Sequence, residues 1–379
     1  MKIIKKESGF LKMLEKSIAK ICEQQGVPYM DILCHQGDEK IFEYTFGKEE
    51  KGCEYLQMYS CSKPVTALAT MILVERGQLC LDDAVEKYLP EISNAFLLNE
   101  AGEQVEPKNK MTVRHLLTMT AGFTYDFQTE PIREVARRNK NAKLRDFISA
   151  FVATPLSFEP GKKFQYSLCH DILAAVIEVV SGKNFSSFVQ ETIFAPLGMC
   201  NSFFDNRDCP LSKMYIVDNH GQVRLTDNDN FALPTKNYES GGGGLVCTIE
   251  DYLIFAKMLA NGGVSSTGKR IVSENILRIM ASEQIGQLNI ENQFTCLQGR
   301  DYGYGFGVRV RKVATDWGLP QGEFGWDGAA GSYLMIDPIN KVSIVMGMNV
   351  KGWPSIFQDK HLEIVKLIYE KFFGEKLHG

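Results

Sequence analysis

Apolar and polar residues alternate in different ways along the first eighty positions. The first stretch has apolar residues at helical spacing, which predicts an amphipathic helix carried by Phe10, Leu11, Met13, Leu14, Ile18 and Ile21. Two β-rich runs follow at residues 29–35 and 40–46, and the short polar link between them predicts a hairpin. A third short run, residues 55–59, leads into a predicted buried helix that has Pro64 in its first turn and stops near Gly77.

The middle and the end of the chain have different patterns. Helical patterns dominate from about residue 80 to 225, and residues 172–180, after Tyr166, predict a buried helix that ends at Gly182. Strand character returns near the end, where strands are predicted at residues 302–310, 332–336 and 342–348. A final amphipathic helix, predicted at residues 356–373, is long enough to cover a sheet. Strands therefore lie at both ends of the chain, and we expect them to meet in one sheet with a helical block inserted between them.

The composition is that of an ordinary globular protein. The 379 residues are 44% hydrophobic and 23% charged, with a formal net charge of −4. This balance gives no electrostatic footprint for nucleic acid, and no apolar stretch reaches the roughly 18 residues of a membrane span. We interpret the strongly basic residues 133–145 as a solvated helix face or a lid over the middle region rather than a binding patch.

The cysteines and the N-terminus suggest a compartment. Ten cysteines are scattered without a CxxC pair, and several, including Cys34 and Cys169, lie in apolar runs, so we expect free thiols that act as small hydrophobes. The basic start of the chain is followed by an amphipathic pattern instead of the apolar core of a signal peptide. We therefore expect a cytoplasmic protein.

Several catalytic motifs are absent from the sequence. It contains no HExxH, no GxxxxGK[ST] and no GxSxG, and its six histidines show no metal-ligand spacing. We expect neither a metal nor another cofactor. The glycine run at residues 241–244 is not followed by Lys-Ser or Lys-Thr, so we interpret it as backbone that needs a close approach or an unusual φ.

The remaining candidate for chemistry is a Ser-x-x-Lys pattern at Ser60 and Lys63. A serine hydroxyl needs an adjacent base to act as a nucleophile, and residues three apart at a helix start share a face. Burial would push the lysine toward its neutral, proton-accepting form, and the helix N-terminus would stabilise developing negative charge. The same spacing occurs at Ser17 with Lys20 and at Ser266 with Lys269, and a helix cap with a solvated lysine explains Ser60 and Lys63 equally well on spacing alone.

Further segments, in order, turn this weak pattern into a resemblance. They are Ser60-Cys61-Ser62-Lys63, His115-Leu116-Leu117-Thr118-Met119-Thr120-Ala121-Gly122, Phe164-Gln165-Tyr166-Ser167-Leu168, Gly241 to Val246 with Thr248-Ile249-Glu250-Asp251-Tyr252, and Trp326-Asp327-Gly328. From about residue 25 onward the chain resembles the serine β-lactamase-like and penicillin-binding-protein superfamily, which includes class C β-lactamases, DD-peptidases and family VIII esterases.

The resemblance implies a fold of the α+β class, the β-lactamase/DD-peptidase-like fold. In this fold an antiparallel sheet of N- and C-terminal strands is flanked by helices, and a mainly helical subdomain is inserted. We expect the sheet subdomain at residues 1–79 and 226–379 and the helical subdomain at residues 80–225. The active site is expected at their junction.

The resemblance also implies roles for individual residues. Ser60 would attack a carbonyl to form an acyl-enzyme, and Lys63 and Tyr166 would share the role of base, with Tyr166 returning a proton to the leaving group. Backbone N–H groups of Ser60 and Ala329 would form the oxyanion hole, each worth about 3–4 kcal/mol of barrier. Water would then hydrolyse the ester.

Departures from the family pattern narrow the substrate. β-Lactamases and DD-peptidases usually carry Tyr-x-Asn and Lys-Thr-Gly, whereas this chain has Leu168 and Trp326 at those places. Leucine cannot bind a substrate amide, and tryptophan offers apolar surface and one N–H donor instead of a cation. With Leu168, Trp326, Asp327 and Gly328 as substrate-binding residues, the pattern resembles family VIII esterases. Asp327 would add negative charge near the pocket and discourage anionic substrates, or it would face away.

We therefore predict a serine hydrolase, specifically a carboxylesterase that acts on small uncharged esters. A β-lactamase or a D-amino-acid-specific, DD-peptidase-like enzyme is the alternative, and the expected lack of a signal peptide argues against it. A non-catalytic binding protein on the same fold is a third possibility, disfavoured by the presence of Ser60, Lys63 and Tyr166. The expected partner is a small ester or amide substrate, with no nucleic acid and no membrane; the natural substrate and the oligomeric state do not follow from the sequence.

Overall fold

Helices and short strands alternate along the chain. The structure is a computed structural model that describes residues 8–47, 55–218, 220–230, 233–286, 288–291, 301–352 and 359–373. In these ranges the α-helices are α1 Ser8–Gln25, α2 Ser62–Glu75, α3 Val113–Leu117, α4 Glu130–Arg138, α5 Ile148–Val152, α6 Cys169–Ser181, α7 Phe185–Val189, α8 Ala195–Leu197, α9 Ile249–Ala260, α10 Glu274–Met280 and α11 His361–Phe372.

The strands are mostly short outside the N- and C-terminal regions. They are β1 Tyr29–Gln36, β2 Glu39–Gly47, β3 Leu56–Gln57, β4 Leu97–Leu98, β5 Gln104–Val105, β6 Lys163–Gln165, β7 Ser202–Phe203, β8 Met214–Val217, β9 Val223–Thr226, β10 Val246–Cys247, β11 Asn289–Glu291, β12 Tyr302–Tyr304, β13 Arg309–Arg311, β14 Phe324–Asp327, β15 Tyr333–Asp337, β16 Val342–Gly347 and β17 Val350–Lys351.

Strands from both ends of the chain form one seven-stranded sheet. Its order is β12-β13-β14-β15-β16-β1-β2, and every neighbouring pair is antiparallel. β1 pairs with β16, with Leu33 opposite Val345, so the N-terminal hairpin is joined directly to the C-terminal strands. The predicted sheet of N- and C-terminal strands is thereby confirmed.

Both faces of this sheet are covered, and each face has its own core. Side chains alternate between the faces of a strand, so Val345 packs into the larger core while Ile344 and Met346 pack into a second core with α1 and α11. Residues of α9 belong to the larger core on the opposite face. This explains why every residue of β16 is buried.

Two buried helices form the centre of the molecule. α2 is buried from Ser62 to Leu73, and α6 is buried from Cys169 to Ile177. α6 starts three residues before its apolar run and ends, as predicted, at Gly182, which has a φ of 69°. The predicted boundary between residues 225 and 226 falls inside β9, and β8 pairs with β17, so the limits of the two subdomains stay a prediction.

Some predicted elements differ from the structure. Residues 302–310 form two short strands instead of one, because Gly305 donates to the carbonyl of Val308 and Gly307 takes a φ of 72°, which turns the chain. Only Leu56 and Gln57 of residues 55–59 lie in a strand. The C-terminal helix begins at His361; residues 356–358 of the predicted helix lie outside the described residues.

The cysteine and charge predictions can be compared with the described residues. Eight cysteines lie there and all are free thiols, with Cys34 and Cys169 buried; Cys53 and Cys296 lie outside. The basic segment, residues 133–145, overlaps the second half of α4. Arg137 and Arg138 pair there with Glu134 on the same helix, which fits a solvated helix face. Among the described helices no single one has the length and apolarity of a membrane span, although α6 and the segment Phe185–Leu197 meet the criteria as a pair bent by 75°.

Candidate active site

Ser60 lies at the junction between β3 and α2, in a single 3-10 turn at Tyr59–Cys61. Tyr59 has a φ of 44°, in the left-handed region that residues with a side chain rarely adopt. The turn is held by Ser62, whose hydroxyl donates to the carbonyl of Tyr59 and accepts from the N–H of Leu245. The backbone strain at Tyr59 is therefore fixed by contacts from a distant part of the chain.

Lys63 is buried beside Ser60. Its Nζ lies 3.1 Å from Ser60 Oγ and 2.6 Å from the carbonyl oxygen of Gly242, and the side chain is fully inaccessible. Burial lowers the pKa of Lys63 to about 7, and the negative charge of Asp171 opposes this shift. An amine with this pKa is partly unprotonated at neutral pH and can accept a proton from Ser60. The alternative of a solvated lysine is wrong.

Tyr166 approaches Ser60 from the other side. It follows β6, and its hydroxyl donates to Ser60 Oγ across 2.5 Å. Burial raises the pKa of Tyr166 well above its ordinary value, so the phenol keeps its proton at neutral pH. Its ring stacks on Trp326, with ring centroids 5.8 Å apart. The hydroxyl of Ser60 thus lies within hydrogen-bond distance of an amine three residues away and of a phenol 106 residues away in the sequence.

The turn after β14 packs against the segment that carries the nucleophile. The hydroxyl of Ser332 donates to the carbonyl of Met58, and a Cβ on Gly328 would lie 2.3 Å from the same carbonyl oxygen. Gly328 is therefore needed for close approach. Ala329, the next residue, is half-buried against Tyr59, and its N–H makes no hydrogen bond with another backbone group of the described residues.

The other predicted substrate-binding residues are largely enclosed. Leu168 and Trp326 are almost fully buried in the larger core. Asp327 does not add charge to a pocket, because its carboxylate accepts from Arg309 at 2.7 Å and lies 3.2 Å from the imidazole of His361. The expectation that Asp327 discourages anionic substrates is wrong; its charge is neutralised inside the protein, and a direct role in substrate binding is not supported.

The glycine run packs tightly on the two central helices. A Cβ at Gly241 would lie 2.4 Å from the carbonyl oxygen of His170, and one at Gly242 would lie 2.5 Å from Asp171 Oδ2. None of the glycines at 241–244 has a positive φ. Of the two interpretations of this run, close approach is confirmed and unusual φ is wrong.

Two residues near the nucleophile have no place in the motifs. The ring of Tyr125 lies 5.0 Å from that of Tyr166 and 5.1 Å from Lys63 Nζ. Asp171 is fully buried in the first turn of α6 and accepts from the hydroxyl of Ser240 at 2.6 Å. The sequence signal for Asp171 is a carboxylate immediately before the apolar run that begins at Ile172.

A cavity of about 800 Å³ lies near the site, although its lining includes none of Ser60, Lys63 and Tyr166. Its wall includes Phe127, whose ring lies 5.6 Å from that of Tyr125, and Asn230, which donates to the carbonyl of Gly243. Gln57, three residues before Ser60, also lines it. No group of three or more His, Cys, Asp or Glu side chains in the described ranges could hold a metal ion.

The fold and the convergence of Ser60, Lys63 and Tyr166 are those of a serine hydrolase. The sequence model of the Beta-lactamase family matches residues 21–367, so the chain belongs to that family. Esterase EstB of Burkholderia gladioli is 29% identical over 324 residues, which cover 77% of this chain and 76% of EstB.

Solved structures agree with the fold. EstCE1, described as a hydrolase with promiscuous acyltransferase activity, superposes with a TM-score of 0.77 at 23% identity and covers 97% of this chain and 99% of its own. A D-stereospecific amidohydrolase from Streptomyces sp. superposes with a TM-score of 0.70 at 20% identity, covering 96% of this chain and 98% of its own. The predicted superfamily and fold are confirmed.

Proposed function

We propose that this protein is a carboxylesterase that acts on small uncharged esters through an acyl-enzyme on Ser60. The observation that carries the proposal is the position of Ser60 Oγ, which lies 3.1 Å from the Lys63 amine and 2.5 Å from the Tyr166 hydroxyl. The similarity to esterase EstB supports the choice of an ester substrate.

The two neighbours of Ser60 have different roles in this proposal. Tyr166 already donates a hydrogen bond to Ser60 Oγ, and its raised pKa keeps the phenol protonated at neutral pH, so it is not available there as the base. Lys63, with a pKa of about 7, takes the proton of Ser60 as the hydroxyl attacks the carbonyl carbon. The lysine is then the base, and the tyrosine orients the nucleophile and relays a proton onward.

Acylation and deacylation follow from this assignment. The oxygen of Ser60 bonds to the carbonyl carbon, and the developing oxyanion accepts from the N–H groups of Ser60 and Ala329. When the C–O bond to the alcohol breaks, the proton held by Lys63 passes through Tyr166 to the leaving oxygen. A water molecule gives a proton to Lys63 as its oxygen attacks the carbonyl carbon of the acyl-enzyme. The C–O bond to Ser60 then breaks, and Lys63 returns the proton to Ser60 Oγ, which releases the acid and restores both groups.

The surroundings of Ser60 support an uncharged substrate. Trp326 occupies the place of the usual cation, and the nearby Arg309 is engaged by Asp327 and the carbonyl of Leu334. Two lysines, Lys236 and Lys351, lie on the wall of the cavity. An ester with a terminal carboxylate therefore serves as a comparison substrate, which tests whether these cations favour a negative charge.

We also propose that the enzyme is cytoplasmic. The eight free cysteines of the described residues support this location.

The test is hydrolysis of p-nitrophenyl acetate and butyrate by the wild type and by Ser60→Ala. We expect turnover by the wild type, with an acid limb in kcat/KM near pH 7, and none above background in the variant. Ser17→Ala is the matched control, because Ser17 belongs to a second Ser-x-x-Lys pattern, on α1, where its hydroxyl donates to the carbonyl of Met13. Full turnover by Ser60→Ala would refute the proposal.

The alternative is a hydrolase of D-amino-acid amides or of β-lactams, which the fold similarity to a D-stereospecific amidohydrolase supports. Nitrocefin and a D-alanyl-D-alanine peptide distinguish it from the esterase. A kcat/KM on either of them that exceeds the value for the butyrate ester favours the alternative. A fluorophosphonate adduct on Ser60, detected by mass, is expected in both cases, and its absence favours a binding protein without catalysis.

A further inference from the structure

The pocket around Lys63 contains a second buried charge. Asp171 is completely inaccessible, and both it and Lys63 lie on the side of Gly242 to which a Cβ would point. A Cβ built on Gly242 would be 2.5 Å from Asp171 Oδ2 and 3.5 Å from Lys63 Nζ. The carboxylate oxygen and the amine are therefore no more than about 6 Å apart, a range over which an opposite charge favours the charged form.

Asp171 is held in place by a network of its own. Ser240 donates to Asp171 Oδ1 at 2.6 Å, and the same hydroxyl accepts from the N–H of Gly243 at 2.9 Å. The carboxylate lies in the first turn of α6, where the helix N-terminus stabilises negative charge. This network fixes both the carboxylate and the loop whose carbonyl holds Lys63.

We propose that Asp171 is a positioning residue, which acts through Lys63 and keeps the lysine side chain and its transferable proton at Ser60. Asp171 does not hydrogen-bond Lys63 directly, and it has no contact with the nucleophile. It acts by its charge beside Gly242 and by tethering the 240–243 loop. This inference rests on the proposed function, because it assumes that Lys63 is the base.

The negative charge sets how readily Lys63 loses its proton. Burial lowers the pKa of Lys63 and Asp171 raises it again, so the amine remains a base strong enough to remove a proton from serine. Removal of the carboxylate's charge should lower the pKa further, so that the amine is free of its proton at lower pH. The other titratable groups that face Lys63 are Cys61, Tyr125, Tyr166, Cys169 and His170.

The test is the pH dependence of Ser60 reactivity in Asp171→Asn. We expect the acid limb of kcat/KM for p-nitrophenyl butyrate to move to lower pH by about 1 unit, as for loss of an opposite charge at this range. The plateau kcat should fall, because a weaker base removes the proton more slowly, while KM stays close to that of the wild type. The rate of fluorophosphonate labelling of Ser60 should show the same displaced limb.

Asp251→Asn is the matched control. Asp251 is also a buried carboxylate at a helix start, and it accepts from the Ser202 hydroxyl at 2.9 Å and from the N–H of Asn201 at 2.7 Å. Its loss should lower stability without moving the limb. If Asp171→Asn does not fold, Ser240→Ala replaces it, with a smaller displacement in the same direction expected.

The outcomes separate this inference from the proposed function. A folded Asp171→Asn protein with the wild-type limb, or with a limb at higher pH, overturns the inference while Ser60 remains the nucleophile. An equal displacement in Asp251→Asn also overturns it, because the effect is then a general consequence of lost stability. A wild type that neither hydrolyses esters nor reacts at Ser60 overturns the proposed function and the inference with it.

Discussion

Lys63 should make the protein less stable at neutral pH, and its replacement by methionine measures by how much. An ordinary lysine has a pKa of 10.5, and Lys63 has one of about 7, so holding this side chain in the folded protein at pH 7 costs about 5 kcal/mol. Methionine keeps an unbranched chain without the charge. It leaves the Gly242 carbonyl without its donor, which costs about 1–3 kcal/mol. We expect Lys63→Met to gain about 2–4 kcal/mol in unfolding free energy and to lose all activity.

The sign of the pH dependence follows from the lowered pKa. Between pH 7 and pH 10.5 the unfolded chain binds a proton at Lys63 that the folded protein does not bind, so the stability of the wild type rises with pH in this window. Lys63→Met lacks this contribution. The stability advantage of the variant should therefore shrink by about 3 kcal/mol between pH 7 and pH 9.5, while groups common to both proteins cancel.

Urea denaturation of both proteins at several pH values tests this reasoning. Lys12→Met, at an exposed position of α1, is the control and should show no pH-dependent difference from the wild type. A variant at Lys63 that is less stable than the wild type at pH 7, or an advantage that does not change with pH, would refute the conclusion that Lys63 is held as a desolvated base.

Two other substitutions test how β14 and the turn after it, which contains Gly328 and Ala329, are held in place. Arg309→Met removes the guanidinium partner of Asp327 and leaves a buried carboxylate beside His361, so it should lower the unfolding free energy by about 3–5 kcal/mol in urea denaturation; a loss under about 1 kcal/mol would contradict the buried pair. Gly328→Ala adds a Cβ 2.3 Å from the Met58 carbonyl oxygen, which must push the N–H of Ala329 away from the oxyanion, and we expect kcat to fall roughly 100-fold in the ester assay. Unchanged kcat in that variant would show that Ala329 is not an oxyanion donor.

The sequence was most informative where periodicity is strong. The α1 helix, the β1–β2 hairpin and the α6 helix follow from regular spacing of apolar residues, because each of these elements buries one continuous face or its whole length. The β12 and β13 strands were predicted as one, because glycines in a strand-like run do not reveal which of them turns the chain.

The orientation of Asp327 could not be predicted, for a different reason. Its partners come from β13, 18 residues away, and from α11, 34 residues away, and neither residue belongs to a motif. Asp171 was missed in the same way, because its partner Ser240 lies 69 residues further along the chain. Spacing reveals residues that share a helix face or a turn; it does not reveal pairs that only tertiary packing brings together.

The glycines of this site have one physical function in common, which links the fold to the chemistry. Gly242 and Gly328 are positions where a Cβ would meet another chain segment at 2.5 Å or less, from Asp171 in one case and from Met58 in the other. At both positions the backbone itself serves the site: the Gly242 carbonyl accepts from Lys63, and Gly328 precedes the N–H of Ala329. A side chain there would clash with these segments and force the backbone to shift. In the proposed mechanism, close packing at these two points is what allows a buried lysine to act on serine without a histidine.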